Sequence, residues 1–325
     1  MSTIALSKFC DLFPPIDAAV LSETHCLLLL SQPADPALDE RHSALVLVDR
    51  SASSARVLAE FPGASEMLLW TTPTPDGLAA LVTSPGGTLW MLAADGGVKQ
   101  IDDAFGDDGP QQYGYLNCSV QQGSFCCVGG MSNQLYRTPL GQARFERLDE
   151  AVLDREMDDT DAAIYGLANM GDGWLVAVGG GGMILALQGR EVRRLDSGTN
   201  LMINAVCPLD AERFVACGVG GLVLEGSTQG WCRAAEVPGF DGYLSSVRVL
   251  GEHILWIGNR TLFRSRMGEA WNELARVPDA PGLSLFARGG PALWTVSPKH
   301  IGYSLDAQHW QWLPTEQIMV DVGPQ

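Results

Sequence analysis

Toward the carboxyl end, one stretch returns three times at almost constant spacing: "RFVACGVGGLVLEGSTQGW" from Arg213, "HILWIGNRTLFRSRMGEAW" from His253 and "ALWTVSPKHIGYSLDAQHW" from Ala292. Two separate markers keep the same step. Gly218, Gly258 and Ser297 lie 40 and 39 residues apart, and so do Trp231, Trp271 and Trp310. Each copy holds two apolar runs split by a turn signal, and a unit of about 40 residues with four strands is the period of a β-propeller blade.

The same step carried backward meets looser copies: "GWLVAVGGGGMILALQGREVRRLD", "SFCCVGGMSNQLYRTPLGQARFERLD" and "GLAALVTSPGGTLWMLAADGGVKQID". A first copy uses "HCLLLLS" and "SALVLVDRSASSARVLAEF". The seven units span residues 17–61, 66–102, 115–149, 163–197, 203–237, 244–277 and 283–315. The expectation is an all-β chain, a single domain over residues 1–325 folded as a seven-bladed β-propeller of four-stranded antiparallel blades. Helix is expected only in "DEAVLDREM", where Asp149 can cap a turn or two. Either "STIALS" at the amino end or "IMVDV" at the carboxyl end can supply a closing strand.

Four consecutive glycines in "VAVGGGGMILALQG", residues 176–189, resemble at first a phosphate-binding loop. Such a loop must open a helix, whose N-terminal N–H groups hold the anion, and a Walker loop also needs Gly-Lys-Ser/Thr. Neither follows Gly182. Met183 to Leu187 is a short apolar run ended by a turn, so the glycines are expected to form the hairpin between second and third strands, where positive φ is needed. Continuous apolar runs in those two strands fit burial on both faces, and the alternation in "EVRRLD" fits a half-solvated outer strand.

The turns between third and fourth strands read "YSLDAQHW" at 303–310, "RSRMGEAW" at 264–271 and "EGSTQGW" at 225–231. They resemble the Asp-box, or BNR, turn, whose family pattern is Ser-x-Asp-x-Gly-x-Thr-Trp. The first keeps Ser304 and Asp306 but has Gln308 where glycine belongs and one residue fewer before Trp310. On these turns the last three or four blades are similar to the sialidase-like and photosystem-assembly-factor-like propellers. The resemblance to sialidases implies an arginine triad for a substrate carboxylate and a tyrosine nucleophile paired with glutamate. Arg248 and Arg288 fall on the innermost strands of blades six and seven, and no third arginine matches them. No Arg-Ile-Pro segment precedes the first blade.

Other chemistry is also poorly supplied. His25, His42, His253, His300 and His309 show no H-E-x-x-H or H-x-H spacing, and G-x-S-x-G is absent. Eight cysteines, with no C-x-x-C pair, sit mostly inside apolar runs, and the vicinal Cys126 and Cys127 must point to opposite faces of a strand. "DREMDDTDAAIYG" lacks the order of a calcium loop. The expectation is therefore no enzyme, no cofactor and no metal. The longest apolar runs, such as Cys26 to Leu30, are far short of the about 20 residues of a membrane helix. The start, "MSTIALSKFCDLFPP", lacks the order of an export signal, so a cytoplasmic location is expected.

What the chain does have is acid. Its net charge is −17, which argues against nucleic acid as a partner. Three excursions, "SQPADPALDERH", "DDAFGDDGPQQYG" and "DEAVLDREMDDTD", hold 14 of the 38 acidic residues, opposed only by Arg41 and Arg155. They join second to third strands or one blade to the next, and both kinds of loop emerge on one face of a propeller. The expectation is an acidic rim on blades one to three, with Asp107, Asp108, Asp154, Glu156, Asp158, Asp159 and Asp161 as the partner-binding residues. Two functional classes follow. One is a non-enzymatic platform that captures a basic protein, as an assembly factor or as an immunity protein holding a bacterial toxin inactive. The other is a degenerate glycan-binding or glycoside-processing propeller. A sugar site needs aromatics near the axis, whereas Trp271, Trp310 and Trp312 belong to outer strands, which favours the platform.

Overall fold

"HILWIG", the second strand of blade six (His253–Gly258), is buried at every residue. A strand alternates its side chains between two faces, so a run without polar interruption must be covered on both. Blade four is an example. Val176 and Val178 pack with Phe214, Ala216 and Leu224 of blade five. Their neighbours Leu175 and Ala177 pack with Cys118, Cys127 and Leu135 of blade three. One apolar run thus feeds two cores, and the repeat of the sequence becomes a repeat of sheets.

The computed structural model describes residues 3–32, 42–62, 68–74, 77–84, 86–92, 97–107, 109–140, 142, 144–148, 162–189, 191–230, 232–237, 240, 242–268, 274–287, 290 and 292–322. The chain is a seven-bladed β-propeller. Each blade is an antiparallel sheet whose strands follow chain order from inner to outer. Blade one comprises Pro15–Val20, His25–Ser31, His42–Asp49 and Ser54–Pro62, and blade two Leu68–Thr74, Gly77–Thr83, Leu89–Leu92 and Val98–Ile101. Blade three comprises Leu116–Gln122, Phe125–Gly130, Leu135–Pro139 and Glu146–Arg147, and blade four Ile164–Asn169, Leu175–Gly179, Ile184–Gln188 and Glu191–Leu195. Blade five comprises Ile203–Pro208, Arg213–Gly218, Leu222–Ser227 and Cys232–Glu236, and blade six Leu244–Leu250, His253–Gly258, Thr261–Arg266 and Ala275–Arg276. Blade seven comprises Leu285–Phe286, Leu293–Val296, His300–Ser304 and Gln311–Pro314.

Two compact units divide the chain. Blades one, two and seven form one, from residues 1–84, 88–101 and 280–325, and blades three to six form the other, from residues 85–87 and 102–279. In the first, both ends of the chain extend the outer edge of blade one. Met319–Asp321 runs parallel to Ser54–Arg56, and Thr3–Ala5 runs antiparallel to Met319–Asp321, giving a six-stranded sheet. Of the two candidate closing strands, the carboxyl-terminal one pairs with blade one, and the amino-terminal one pairs in turn with it. A helix the sequence reading did not include, Leu6–Leu12, follows and buries Leu6, Phe9 and Cys10 in a core that also holds Ile318 and Val320. The helix expected in "DEAVLDREM" lies outside the described residues.

In the second unit every inner strand starts with a register shift. The extra residues are Asn117, Tyr165, Asn204 and Ser245. Such a bulge turns one side chain away from the ladder. Asn117 donates to the Ile164 carbonyl at 3.3 Å and Asn204 to the Leu244 carbonyl at 3.0 Å, each reaching the inner strand of the next blade. The four glycines lie where a hairpin was expected. Gly181 and Gly182 have φ of 59° and 70°. A Cβ on Gly182 would stand 1.9 Å from the Thr199 carbonyl oxygen, so this turn is packed against the linker to blade five.

Candidate protein-binding face

In an antiparallel blade the incoming linker and the turn between second and third strands meet at one end. In blades three to five they are bonded to each other. Met131 N–H donates to the Tyr115 carbonyl at 2.8 Å, Gly180 N–H to Ala163 at 3.0 Å and Val219 N–H to Met202 at 3.0 Å, and Gly221 N–H in the turn of blade five donates to Gly242 in the linker to blade six at 3.1 Å. Isolated bridges pair Met131 with Ala163 and Val219 with Tyr243, so the turn of one blade also holds the start of the next. This end is a backbone-bonded surface, and the linker of residues 102–114, which carries Asp102, Asp103 and Asp107, enters it.

Asp107 lies on this surface, exposed, in the linker from blade two to blade three, with Asp102 and Asp103 also exposed nearby. Gln112 Nε2 donates to the Asp107 carbonyl and fixes that part of the loop. Asp108, Asp154, Glu156, Asp158, Asp159 and Asp161 lie outside the described residues, as does most of "SQPADPALDERH". What the sequence reading missed are two aromatics, Tyr115 and Tyr243, 60% and 55% exposed, each the last residue before an inner strand. Their side chains make no hydrogen bond among the described residues. Tyr113 stands in the same linker, and the Arg147 guanidinium lies 4.1 Å from its ring centroid.

Catalytic alternatives can be tested on geometry. Arg248 is on the inner strand of blade six, as expected, and donates to the Val247 carbonyl at 3.0 Å, while Arg288 lies outside the described residues. A Ser-His-Asp chain does exist: Ser22 Oγ is 3.2 Å from His25 Nδ1, and His25 Nε2 is 3.7 Å from Asp49 Oδ2. Its serine is not poised as a nucleophile. Ser22 Oγ accepts the N–H groups of Thr24 and His25 at 3.2 and 3.0 Å, which is the bonding of a turn-forming hydroxyl. Asp49 is engaged likewise, with Oδ1 accepting the Ser51 hydroxyl at 2.6 Å and the Ser51 N–H at 2.8 Å. The Ser51 hydroxyl, with the backbone N–H groups of Ala52 and Ser51, holds this carboxyl below its ordinary range. Among the described residues no three His, Cys, Asp or Glu side chains converge as a metal ion requires. No helix there is long and apolar enough to cross a membrane.

The turn that resembles an Asp-box is closed by its own side chains. Ser304 Oγ accepts the Ala307 N–H at 2.9 Å, and Asp306 Oδ1 accepts those of Gln308 and His309, both at 2.8 Å. Ala307 adopts φ of 62°. Trp310 and Trp312 stack on each other, centroids 5.1 Å apart and planes 7° from parallel, at the outer strand of blade seven. The indole faces that a sugar would need are thus partly occupied by one another.

No protein-family model matches the chain. Among characterised proteins it is 27% identical over 241 residues to the immune protein Tsi7 of Pseudomonas aeruginosa, a match covering 71% of this chain and 74% of that protein. Among solved structures it is similar to virginiamycin B lyase from Staphylococcus aureus, with a TM-score of 0.67 and 10% identity, over 91% of this chain and 95% of the lyase. It is also similar to the WD40 β-propeller domain of Doa1, with a TM-score of 0.59 and 12% identity, over 87% of this chain and 89% of that domain. At such identities these two structures share the propeller fold, and a fold by itself carries no chemistry from one protein to another.

Proposed function

We propose that this chain is a non-enzymatic binding platform that holds a protein toxin inactive in the cytoplasm of the cell that makes it. The observation that carries this reading is the similarity to an immune protein over 241 residues, most of both chains. The bonded face of blades three to six supports it, because a surface stiffened before binding loses little freedom when a partner docks. The charge supports a basic partner: the chain carries −17, and 11 of its 38 acidic residues fall in the two linkers on either side of blade three. Carboxylates crowded there repel one another, and an opposing Lys/Arg surface relieves that repulsion while raising the association rate.

The binding residues in this reading are Asp107 and Asp108 in one linker and Asp154, Glu156, Asp158, Asp159 and Asp161 in the next. The experiment has two steps. Affinity capture from the native host, followed by mass spectrometry, identifies the partner, and co-expression tests whether the chain relieves that partner's toxicity. Replacing the seven carboxylates by Asn or Gln is then expected to slow association about tenfold at low salt and to flatten its salt dependence. A partner whose toxicity is unaffected by the chain would overturn the immunity reading. Unchanged association kinetics in the neutralised variant would overturn the acidic surface.

A further inference from the structure

Large apolar side chains left in solvent on a rigid surface mark places where something else packs. Tyr115 and Tyr243 occupy equivalent places in blades three and six, immediately before inner strands that both open with a bulge. Both are among the most exposed large hydrophobics described. Their backbones are not free to fold the rings away. The Tyr115 carbonyl accepts Met131 N–H, and Tyr243 is bridged to Val219 of blade five. An aromatic held in this way contributes contact area without a large ordering cost, which is what tyrosine supplies at binding surfaces.

The chemistry of the occupant can be read from the neighbourhood. Two residues before Tyr115, the Tyr113 ring already carries an arginine, Arg147, at 4.1 Å. Exposed Asp102, Asp103 and Asp107 lie along the same linker. A tyrosine face at the end of a linker that carries exposed carboxylates, as at Tyr115, suits a guanidinium, which stacks flat on the ring while its N–H groups can meet acid. An ammonium gains the charge attraction but not the flat stack. We infer that Tyr115 and Tyr243 are the stacking anchors of the partner-binding face, and that each takes an arginine side chain of a basic protein segment. This rests on the reading of that face as a surface for a basic partner, and it adds a preference for arginine over lysine.

The test uses the full chain and two fluorescein-labelled probes, a short oligo-arginine peptide and an oligo-lysine peptide of the same length, followed by anisotropy at low and moderate salt. The wild type is expected to bind oligo-arginine about tenfold more tightly than oligo-lysine. The double variant Tyr115→Ala/Tyr243→Ala should bind both peptides equally, at the wild-type affinity for oligo-lysine. Tyr115→Phe/Tyr243→Phe keeps both rings and should keep the preference, and Leu305→Ala, an exposed apolar change in a turn of blade seven, should alter nothing. Thermal melts and far-UV circular dichroism establish that each variant is folded. Equal binding of the two peptides by the wild type, or a preference that survives the alanine variant, overturns the anchors and leaves the acidic surface standing. If neither peptide binds, the basic-partner reading falls with the anchors.

Discussion

The guanidinium of Arg50 lies 4.1 Å from the ring centroid of Tyr303, so a turn residue of the first blade caps a side chain of the last. Arg50 Nη1 also donates to Gln311 Oε1 at 2.7 Å, and Tyr303 meets Trp294 edge-on at 5.5 Å. These contacts join the outer half of blade one to the second, third and outer strands of blade seven, beside a core that the two blades share.

Arg50→Ala is therefore expected to destabilise the protein by about 1–2 kcal/mol, the sum of a partly desolvated cation–π contact and a charge-assisted hydrogen bond. Arg50→Lys should recover only part of this, because an ammonium cannot lie flat on the ring. Tyr303→Phe keeps the ring and should be nearly neutral. Urea unfolding of the three variants, with Arg50→Ala/Tyr303→Leu closing a double-mutant cycle, measures the coupling.

The glycine stretch gives a prediction that separates conformation from packing. Gly181 has φ of 59° with open space around it, so Gly181→Ala is expected to cost only about 1 kcal/mol. Gly179 is extended, yet a Cβ there would stand 1.9 Å from the Ala163 carbonyl oxygen, which itself accepts the Gly180 N–H. Gly182 combines a positive φ with an equally close carbonyl, that of Thr199. Gly179→Ala must push aside the linker that enters its own blade, and Gly182→Ala the linker to blade five, each at a cost of at least about 3 kcal/mol. Thermal melts of the three alanine variants check the order.

The repeat was legible because two-sided burial leaves a strong mark: runs such as "HILWIG" with glycine or a polar turn behind them. The helix Leu6–Leu12 left a weaker one. Leu6, Phe9, Cys10 and Phe13 stand at i, i+3, i+4 and i+7, but Ser7, Lys8 and Asp11 between them break the apolar stretch, and so short a segment shows the helical spacing only once. That the carboxyl-terminal strand pairs with blade one and the amino-terminal strand with it could not be read, because a three-residue strand carries no local record of its partner. The exposed tyrosines were hidden for a related reason. Tyr115 and Tyr243 adjoin Leu116 and Leu244, both buried, and sequence alone does not say at which residue a strand leaves the core.

Cysteine reactivity is expected to be low throughout. Cys10, Cys26, Cys118, Cys126, Cys127, Cys207 and Cys217 are buried thiols outside any disulfide, and Cys232 is half-buried. Burial pushes the thiols of Cys10 and Cys127 up to about 12 and that of Cys232 up to about 11. Since the thiolate is the nucleophile, iodoacetamide at mildly alkaline pH should leave the native protein largely unmodified, with Cys232 the first to react. Intact-mass spectrometry with and without denaturant reads this out, and rapid native labelling of any buried cysteine would contradict it.

The last expectation concerns acid. Three aspartates close turns by accepting backbone N–H groups. The Ser51 hydroxyl is the largest influence at Asp49 and the His309 ring at Asp306, with Gln308 and His309 N–H groups adding to the latter. At Asp210 slight burial raises the pKa, but the Arg213 N–H and guanidinium together with the Glu212 N–H outweigh it. All three carboxyls are lowered, so near pH 4 the unfolded chain binds more protons than the folded one, and stability rises with pH there. The stabilisation is complete above the ordinary aspartate range and is lost as pH falls through the lowered folded values. The groups are exposed or half-buried and each contribution is screened, so the effect is read as a slope rather than as an energy. Melting temperature should hold between pH 7 and 5 and fall steadily toward pH 3. Asp306→Asn should lower it at pH 7 and bring the variant closer to the wild type at pH 3, because the amide oxygen still accepts the two N–H groups but has no charge to lose. A wild-type melting temperature that is flat from pH 5 to 3, or a constant gap between variant and wild type, would show that these turns are not held by their charge.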